Sequence, residues 1–317
     1  MSNAQTTDCV LMVRPASFRL NLETSVNNHF QQGADESVDV NAKAQKEFDL
    51  FVSMLEDNGI EVIVVQDTLE PSTPDALFPN NWVSFHVDKI AFLYPMFAPN
   101  RRAERREDII EQLKKDHNFE LEGIIDFTEF EEHQKYLEGT GSLVLDRESK
   151  ICYAAISERT DRKAVAHFCM ETGYKPVPFS AYHTVDGIEH LIYHTNVMMS
   201  VGANFAVVCL ECIKEEKERD GLVSILEQTG HEVIPISLDQ IDHFAGNILQ
   251  LSNSKNESVI ALSTRAKNCL SEDQIDRLET HGKLVYSDLT TIENYGGGSA
   301  RCMIAEIFLP RAQNETN

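Results

Sequence analysis

Hydrophobic and polar positions along the chain follow one pattern that repeats from end to end. A short apolar run begins beside a polar motif rich in Gly or Asn, a turn follows, and a second apolar run leads through a helix to a third run. Short apolar runs bounded by turn residues are typical of strands, whereas apolar residues every three or four positions are typical of helices. The pattern therefore predicts a series of ββαβ units.

Four of the predicted units lie in the middle of the chain, and the fifth is assembled from both ends. The first strands are predicted within residues 78–86, 137–146, 191–202 and 243–252, and the helices within 101–115, 160–172, a charged stretch up to Gln228, and 272–280. The fifth unit combines residues 296–310 with residues 8–15, a helix over Ala42–Asn58 and a strand at 60–66. Because both ends share one unit, the series closes without a free edge. We therefore predict a single domain over residues 1–317, an α/β fold built as a five-blade propeller.

The same register aligns one polar position of each predicted unit. These positions are Asn81, Glu138, His194, Asn247 and Cys302, separated by 57, 56, 53 and 55 residues. If a pseudo-fivefold axis relates the units, the five side chains point at one central place. A thiol, an imidazole and a carboxylate that meet there are the components of a nucleophilic active site.

The charge and the apolar runs narrow the class of protein. The chain has a formal charge of −23, whereas nucleic-acid binding calls for a basic surface, so we expect neither nucleic acid nor an anionic membrane as a partner. The apolar runs are too short to span a bilayer, and the first residues lack the pattern of a signal peptide. We therefore expect a cytoplasmic protein that acts on a small molecule. The sequence leaves open whether the protein is a homo-oligomer.

Cys302 differs from the other cysteines in its local sequence. Most of the seven cysteines are interpreted as buried, reduced thiols. Cys302 instead follows Gly296, Gly297 and Gly298, which allow the backbone to approach a ligand closely. A thiol needs such access to act as a nucleophile. The alternative is a buried cysteine after a flexible loop, and the register with His194 favours the nucleophile.

His194 and Glu138 are interpreted as partners of that nucleophile. An imidazole can give a proton to a leaving amine and then take one from water. The Glu138 carboxylate can accept hydrogen bonds from a substrate and support positive charge on His194, and the amides of Asn81 and Asn247 can donate and accept. The alternatives are a core histidine, an ordinary turn acid, and asparagines that cap or form turns.

Two arginines also occupy equivalent places. Arg101 lies 20 residues after Asn81, and Arg159 lies 21 residues after Glu138. An arginine can hold a carboxylate through two parallel hydrogen bonds, so both are candidates for binding a substrate carboxylate.

We expect neither a metal nor a cofactor. His183, His190 and His194 are candidate ligands, but a strand would hold residues 190 and 194 about 13 Å apart. No dinucleotide or phosphate-binding motif is present.

These motifs resemble those of the amidinotransferase and arginine-deiminase-related family, whose members share the pentein fold. The similarity covers the whole chain. Its specific parts are the glycine-rich segment before Cys302, His-Thr-Asn at 194–196 in place of the family's His-x-Asp, and Glu-Gly-Thr-Gly at 138–141 in place of Glu-Gly-Gly-Asp. Arg159 is similar to a carboxylate-binding arginine of arginine deiminases, and Arg101 to a second one. The closest similarity, through residues 79–82, 100–106 and 194–199 together, is to the citrulline-utilising hydrolase (citrulline ureidase) branch.

The resemblance implies a covalent mechanism. Cys302 would add to the terminal carbon of a ureido or guanidino amino acid while His194 moves protons. The other site residues divide into those that orient the head group, Asn81, Glu138 and Asn247, and those that hold the α-carboxylate, Arg101 and Arg159.

Two asparagines of this chain replace groups that bind a cation in the family. Arginine-processing members use two aspartates where this chain has Asn81 and Asn196. Two lost charge-assisted hydrogen bonds weaken the binding of a cation by roughly 3–6 kcal/mol, whereas a neutral ureido group loses less. We therefore expect hydrolysis of citrulline to ornithine, ammonia and carbon dioxide.

Three alternatives remain open. Activity like that of an arginine deiminase or a dimethylarginine hydrolase would use the same residues. Attack by an amine instead of water would make the protein an amidinotransferase. A non-catalytic propeller that binds a ligand is the alternative from another class, and the presence of Cys302, His194 and Glu138 argues against it.

Overall fold

The computed structural model describes residues 4–31 and 39–312. The strands are β1 (Cys9–Arg14), β2 (Glu61–Gln66), β3 (Val83–Phe85), β4 (Ile90–Leu93), β5 (Gly123–Asp126), β6 (Val144–Asp146), β7 (Ile151–Ala155), β8 (Lys175–Phe179), β9 (Tyr182–Val185), β10 (Ile188–Leu191), β11 (Met199–Val201), β12 (Phe205–Val208), β13 (Glu232–Pro235), β14 (Leu249–Ser252), β15 (Ser258–Ser263), β16 (Lys283–Ser287) and β17 (Ala305–Glu306). The α-helices are α1 (Val40–Asp57), α2 (Glu107–Asp116), α3 (Gly139–Ser142), α4 (Arg162–Thr172), α5 (Thr195–Met198), α6 (Glu216–Gln228), α7 (Leu238–Asp242), α8 (Thr264–Cys269), α9 (Glu272–His281) and α10 (Thr290–Gly296).

Five three-stranded sheets share one connection pattern. They are β17-β1-β2, β3-β4-β5, β6-β7-β8, β11-β12-β13 and β14-β15-β16. In each of these orders, the first and middle strands are antiparallel, and the middle and last strands are parallel. A parallel pair needs a crossover, and a helix supplies it in every case. The predicted alternation of strands and helices, and a mixed α/β fold, are therefore confirmed.

Neighbouring sheets along the chain contact each other either through their strands or through a helix beside them. Strand β17 contacts β3, helix α3 contacts β3, β6 contacts β11, and β11 contacts β14. Helix α1, which follows β1, contacts β16 of the last sheet. The sheet made from both ends of the described chain thus lies between the first and the last of the other four.

Helix α1 illustrates how the helices cover the sheets. Ala44, Phe48, Phe51 and Leu55 recur at spacings of three and four residues and are buried. Such spacing places the four side chains on one face. They pack in the same apolar cluster as Val10 of β1, so this helix face forms part of the core beside the terminal sheet.

Three helices differ slightly from the prediction, and two of them begin at a side-chain cap. The Asp161 side chain accepts hydrogen bonds from the first-turn amides of α4, so residue 160 stays outside the helix. Helix α1 begins at Val40 after a similar cap by Asp39 and ends at Asp57. Helix α9 ends at His281, one residue beyond the predicted end.

The helix predicted over residues 101–115 is wrong in its first half. A 3₁₀ helix, Pro99–Glu104, ends where Arg105 takes an extended conformation, and α2 begins two residues later. The Arg105 guanidinium is bonded to the Glu131 carboxylate at 2.5 Å and to the Tyr94 carbonyl at 3.1 Å. These contacts favour the break over a continuous helix.

The hairpin formed by β9 and β10 is an addition to the predicted repeat. Asp186 and Gly187 both have positive φ, 51° and 77°. An Asp-Gly pair with this geometry is a strong signal for a two-residue hairpin turn. Among the described residues no helix combines the length and the apolar character needed to cross a bilayer.

Candidate active site

The five aligned polar positions lie on short turns rather than on strands. Asn81 ends the 3₁₀ helix Pro79–Asn81, and Cys302 lies in a 3₁₀ helix over residues 300–303. Glu138 and His194 immediately precede the short helices α3 and α5, and Asn247 lies in a turn before β14. The prediction that these residues lie in first strands is wrong, because the glycines, asparagines and serines around them favour turns.

Two glycines allow neighbouring turns to approach closely. Gly139 has a φ of 46°, and a Cβ atom there would lie 2.1 Å from the Asn80 carbonyl oxygen. A Cβ atom on Gly141 would lie 2.5 Å from Nδ2 of Asn81 and 2.7 Å from Nδ1 of His194. A larger residue at either position would therefore displace the side chains or backbone of the site.

His194 and Glu138 form a buried pair. Nε2 of His194 lies 2.7 Å from Oε2 of Glu138, and both side chains are almost fully buried. Oε1 of Glu138 accepts a hydrogen bond from the Phe97 amide at 2.9 Å. Both carboxylate oxygens are thus bound to protein groups.

The surrounding charges set the protonation state of the pair. Burial opposes the ionisation of Glu138, but Arg159, His194 and Arg101 outweigh it and hold the pKa of this carboxyl well below its usual range. Burial lowers the pKa of His194 to about 4, against the opposing effect of Glu138. At neutral pH the pair is therefore a carboxylate and a neutral imidazole. Nε2 carries the proton that it donates to Glu138, which leaves Nδ1 as an acceptor.

The Cys302 sulfur lies against two side-chain amides. Nδ2 of Asn247 is 3.1 Å and Nδ2 of Asn196 is 3.4 Å from Sγ. Oδ1 of Asn247 accepts a hydrogen bond from the Arg301 amide at 3.0 Å. Burial raises the pKa of the Cys302 thiol, although the Ser299 backbone, Asn247 and Arg301 act in the opposite direction. A thiolate formed here would have two hydrogen-bond donors at hand.

Side-chain hydrogen bonds anchor the loop that precedes Cys302. Gly297 has a φ of 64°, and its carbonyl accepts a hydrogen bond from the Tyr193 hydroxyl at 2.5 Å. Ser299 donates to the buried Glu293 carboxylate at 2.7 Å. These contacts fix the turn that holds Cys302.

Arg101 is surrounded by carboxylates and one amide. Its Nε and Nη2 each donate a hydrogen bond to the Glu104 carboxylate at 2.9 Å, and Nη1 donates one to Oδ1 of Asn81 at 2.9 Å. Carboxylate oxygens of Asp75 and Glu138 lie 3.7 Å and 3.8 Å away. All three guanidinium nitrogens are therefore engaged by the protein.

Arg159 is held by residues 15–31, a segment that the sequence analysis does not connect with the site. Its Nε donates to Oδ1 of Asn27 at 2.8 Å, and Nη2 donates to the Thr24 carbonyl at 2.7 Å. Nη1 lies 3.6 Å from Oε2 of Glu138, and the guanidinium lies 4.9 Å from the centre of the Tyr193 ring. The segment and the His194–Glu138 pair therefore meet at this arginine.

A small cavity brings most of the expected site residues together. It is lined by five of them, Asn81, Arg101, Arg159, His194 and Cys302. Glu138, Asn196 and Asn247 lie outside the lining and contact its members through the bonds described above. Gly296 and Gly298 of the glycine-rich segment also line the cavity. The lining further includes four residues that the sequence analysis does not assign to the site, Asn28, Asp75, Phe78 and Tyr193.

Asp75 is the most consequential of these additional residues. Its side chain is buried, and Oδ2 accepts hydrogen bonds from Asn21 at 2.7 Å and from Thr24 at 3.2 Å. Oδ1 has no hydrogen-bond partner among residues 4–31 and 39–312. A buried carboxylate oxygen without a partner, on a residue that lines a cavity, is suited to a ligand with N–H donors. The only sequence signal for Asp75 is its position just before the Pro-Asn-Asn motif.

The three histidines considered as metal ligands do not converge on the nucleophile. His183 and His190 face each other across the β9–β10 hairpin and lie beside His29, whereas His194 follows the hairpin and pairs with Glu138. Within the described part of the chain, no group of three His, Cys, Asp or Glu side chains has the arrangement of a metal site.

Comparison with known families identifies relatives of the chain. Residues 14–309 match the family model of eukaryotic N,N-dimethylarginine dimethylhydrolase. The match confirms the resemblance to the pentein-fold, guanidino-group-modifying enzymes, and it does not single out the citrulline-utilising branch. No curated protein sequence matches the chain closely enough to count as a relative.

Solved structures of low sequence identity share the fold. The apo structure of ArgZ, an arginine dihydrolase of the ornithine-ammonia cycle in cyanobacteria, is 15% identical with a TM-score of 0.71, and the match covers 96% of this chain but 41% of ArgZ. The N-terminal domain of ArgZ covalently bound to a reaction intermediate is 15% identical with a TM-score of 0.67, covering 95% of this chain and 99% of that domain. A dimethylarginine dimethylaminohydrolase adduct with S-methyl-L-thiocitrulline is 12% identical with a TM-score of 0.61, covering 95% and 100%. The chain thus spans about two-fifths of full-length ArgZ and corresponds to its N-terminal domain.

Proposed function

Since the chain belongs to the family of eukaryotic N,N-dimethylarginine dimethylhydrolases, we propose that it hydrolyses the guanidino group of arginine or of a methylated arginine, with Cys302 as the nucleophile. The observation that supports this most strongly is the cavity that Cys302 shares with His194. The solved relatives named above are an arginine dihydrolase and a dimethylarginine dimethylaminohydrolase. The proposed substrate is therefore a guanidino compound, whereas the sequence analysis expects citrulline.

The proposal extends to the architecture. Residues 1–317 form one pentein domain in which the five sheets are the blades of a propeller. Sheet-to-sheet contacts that follow chain order and return to the terminal sheet support this arrangement. The turns that hold Asn81, Glu138, His194, Asn247 and Cys302 then surround the axis.

The first chemical step is the addition of the Cys302 sulfur to the central carbon of the guanidinium. The thiol proton passes to Nδ1 of His194, the nitrogen left free by the bond to Glu138. The ionised Glu138 stabilises the imidazolium that forms. Asn247 and Asn196 stabilise the sulfur as a thiolate through their N–H groups.

The second step releases the amine and restores the thiol. The His194 imidazolium gives its proton to the departing nitrogen as the C–N bond breaks. Neutral His194 then takes a proton from the water that adds to the same carbon. The C–S bond breaks, and the proton on His194 returns to the sulfur. Arginine and water thus become citrulline and ammonia, and a dimethylarginine releases dimethylamine instead.

The electrostatics of the site favour a cationic head group. The Cys302 thiol has a raised pKa because of burial, and a guanidinium beside the sulfur would stabilise the thiolate, whereas a neutral ureido group would not. A cationic imidazole would repel a guanidinium, but the pKa of His194 is lowered to about 4 by burial, so this repulsion is absent at neutral pH.

The amino-acid end of the substrate is assigned to Arg159 and Asp75. Arg159 faces the cavity beside residues 15–31, and Asp75 offers an unpaired oxygen to an ammonium group. Arg101 was expected to hold the α-carboxylate as well, but its nitrogens already hold Glu104 and Asn81, so we assign it to positioning Asn81.

Entry of the substrate requires a movement of the chain. The cavity has about 10 Å³ of free space, roughly what a single water molecule needs. Residues 15–31 hold Arg159 and contribute Asn28 to the lining, so they are the segment whose displacement would admit an amino acid.

Citrulline remains the second candidate on one specific observation. Asn81 lines the cavity with an Nδ2 that has no hydrogen-bond partner among the described residues, and Asn196 lies beside the sulfur. A neutral amide pairs with both the carbonyl and the NH₂ of a ureido group, at less cost than it pairs with a cation.

The decisive experiment measures ammonia or amine release from arginine, dimethylarginine, agmatine and citrulline. We expect arginine or dimethylarginine to give the highest kcat/KM in wild type and Cys302→Ser to remove the activity, with thermal unfolding unchanged. Mass spectrometry of quenched wild type should show a covalent adduct on Cys302, and Cys269→Ser, at a partly exposed thiol, is the matched control. Retained turnover in Cys302→Ser would refute the assignment of the nucleophile.

The same assay separates the two candidates through Asn81. If Asn81 contacts the head group, Asn81→Asp should shift the ratio of kcat/KM toward arginine, because it adds a carboxylate for the cation. A wild-type enzyme that prefers citrulline tenfold or more would overturn the argument from the thiol pKa and restore the ureido substrate.

A further inference from the structure

A second cavity lies between two hairpin turns, apart from Cys302 and His194. The turn between β3 and β4 contributes His86 and Asp88, and the turn between β6 and β7 contributes Arg147 and Lys150. Thr172 and Tyr174, at the end of α4, complete the polar lining. We call this space the hairpin cavity. It measures about 130 Å³, whereas one water needs roughly 10–15 Å³ on the same measure.

Two cations of the hairpin cavity lack a dedicated carboxylate. Arg147 is buried, and its nearest carboxylate oxygen, Oε2 of Glu306, is 3.6 Å away and already accepts a 2.7 Å hydrogen bond from Arg301. The Lys150 ammonium makes no ion pair within residues 4–31 and 39–312, and it lies 4.6 Å from the centre of the Tyr174 ring. The cavity thus contains donors that its own acids do not satisfy.

The cavity has the electrostatic character of an anion site. Burial lowers the pKa of Lys150, Asp88 opposes this, and Arg147 lowers it further. The pKa of His86 is held well below its usual range by burial and then by the charges of Arg147 and Lys150. Two neighbouring cations that are withdrawn from water are costly unless a negative charge compensates them. The chain as a whole has a net charge of −23, but the lining of this cavity has two cations, Arg147 and Lys150, and one exposed acid, Asp88.

We propose that the hairpin cavity binds a small oxyanion, a phosphate or a carboxylate. Arg147 offers a planar fork for two anion oxygens, Lys150 offers a point charge at the half-buried edge, and the Tyr174 hydroxyl can complete the set of donors. None of these residues belongs to the cavity of Cys302 and His194, so the proposal does not rest on the proposed hydrolase activity.

Isothermal titration at constant ionic strength tests the site directly, with inorganic phosphate and succinate as the two probes and chloride as the background anion. We expect saturable 1:1 binding of at least one probe with a Kd of about 1 mM or tighter. Lys150→Gln, a substitution at a half-buried position that should not impair folding, should weaken it about tenfold or more. The matched control is Lys217→Gln, at an exposed position of α6.

Two further binding measurements distinguish a site in the hairpin cavity from one in the cavity of Cys302 and His194. Cys302→Ser should bind the probe as wild type does, and L-arginine should not displace it. The tighter of the two probes identifies the chemistry of the anion. The proposal is overturned if neither probe binds saturably, if Lys150→Gln binds as well as Lys217→Gln, or if L-arginine competes with the bound anion.

Discussion

Asn247 donates a hydrogen bond from Nδ2 to the Cys302 sulfur over 3.1 Å. The sequence interpretation assigned Asn247 to the head group of the substrate, but its amide is occupied on both sides by the protein. Nδ2 also reaches the Asn196 carbonyl at 3.0 Å, and Oδ1 accepts the Arg301 amide. The residue is therefore placed to act on the nucleophile.

Asn247→Asp should raise the pKa of the Cys302 thiol, because a negative oxygen replaces an N–H donor of similar size beside the sulfur. We expect kcat/KM to fall about tenfold to a hundredfold, the effect of losing a hydrogen bond to a charged group. The pH dependence of Cys302 alkylation by a small reagent should move to higher pH. Asn204→Asp, at an exposed turn, adds the same charge elsewhere and should leave both measurements unchanged. An unaltered alkylation profile in Asn247→Asp would show that this contact does not govern the thiol.

Gly141→Ala should remove activity through steric displacement of the site. The added Cβ atom would lie within 2.7 Å of both His194 and Asn81, so the imidazole must move. The matched control is Gly221→Ala in α6, where an added Cβ atom meets nothing within 4 Å. That variant should keep its activity and gain about 0.5–1 kcal/mol in stability, because alanine is a better helix former. Equal kcat values for the two variants would contradict the close packing of the turns.

Asn27→Ala should weaken substrate binding more than it slows the chemistry. The Asn27 side chain holds Nε of Arg159, which we assign to the substrate carboxylate. Loss of a hydrogen bond to a charged group predicts a rise in KM of about tenfold, with kcat changed much less. Val26→Ala, in the same segment and 65% exposed, controls for general effects on the loop. The assignment fails if kcat falls and KM does not change.

His183→Phe should make the protein less sensitive to acid. Burial lowers the pKa of His183 to about 4, with smaller effects of His29 and His190, whereas the unfolded chain has a value near 6.5. Between these values the unfolded state binds a proton that the folded state does not, so stability is lost as pH falls from about 6.5 to about 4. This single group accounts for about 3 kcal/mol of that loss.

Denaturant unfolding of the His183→Phe variant at pH 7.5 and pH 4.5 measures the effect. The introduced phenyl ring would stack on Phe30 as the imidazole does, at a ring distance of 5.2 Å in the native protein. His133→Phe, at an exposed position, should keep the wild-type slope of stability against pH. Identical slopes for His183→Phe and wild type would show that His183 is not held in its neutral form by the fold.

The repeat register explains why the core of the site could be predicted from sequence. Each ββαβ unit places one polar residue at an equivalent turn, and the structure brings Cys302 and His194 to one cavity with Glu138 behind His194. The spacing between equivalent positions does not depend on whether the backbone there is helical or extended. The alignment therefore identified the right residues, although the strands predicted at these positions were wrong.

Some roles in the site could not be predicted, because the sequence does not show where a side chain points and because some residues lie outside the repeat. Asn247 sits at the expected position, but the register does not show whether its amide faces the substrate or the sulfur. Asp75 and Asn27 lie in connections outside the repeat, where no equivalent positions exist for comparison. The bidentate pair of Arg101 with Glu104 is local in sequence, but it depends on the 3₁₀ turn that replaces the expected α-helix.

The terminal sheet has a consequence for biosynthesis. Among the described strands β1 is translated before the others, and all but its last residue are buried in the folded structure. One edge of β1 pairs with β2. The other edge stays unpaired until β17 is made, and it then pairs Val10 with Glu306 and Leu11 with Ala305. Cys302 is translated only just before β17, so a nascent chain that lacks Cys302 also has an unpaired apolar edge on β1. Such an edge is a template for pairing with other chains, so the interval before β17 is made is one in which the nascent chain is prone to aggregate.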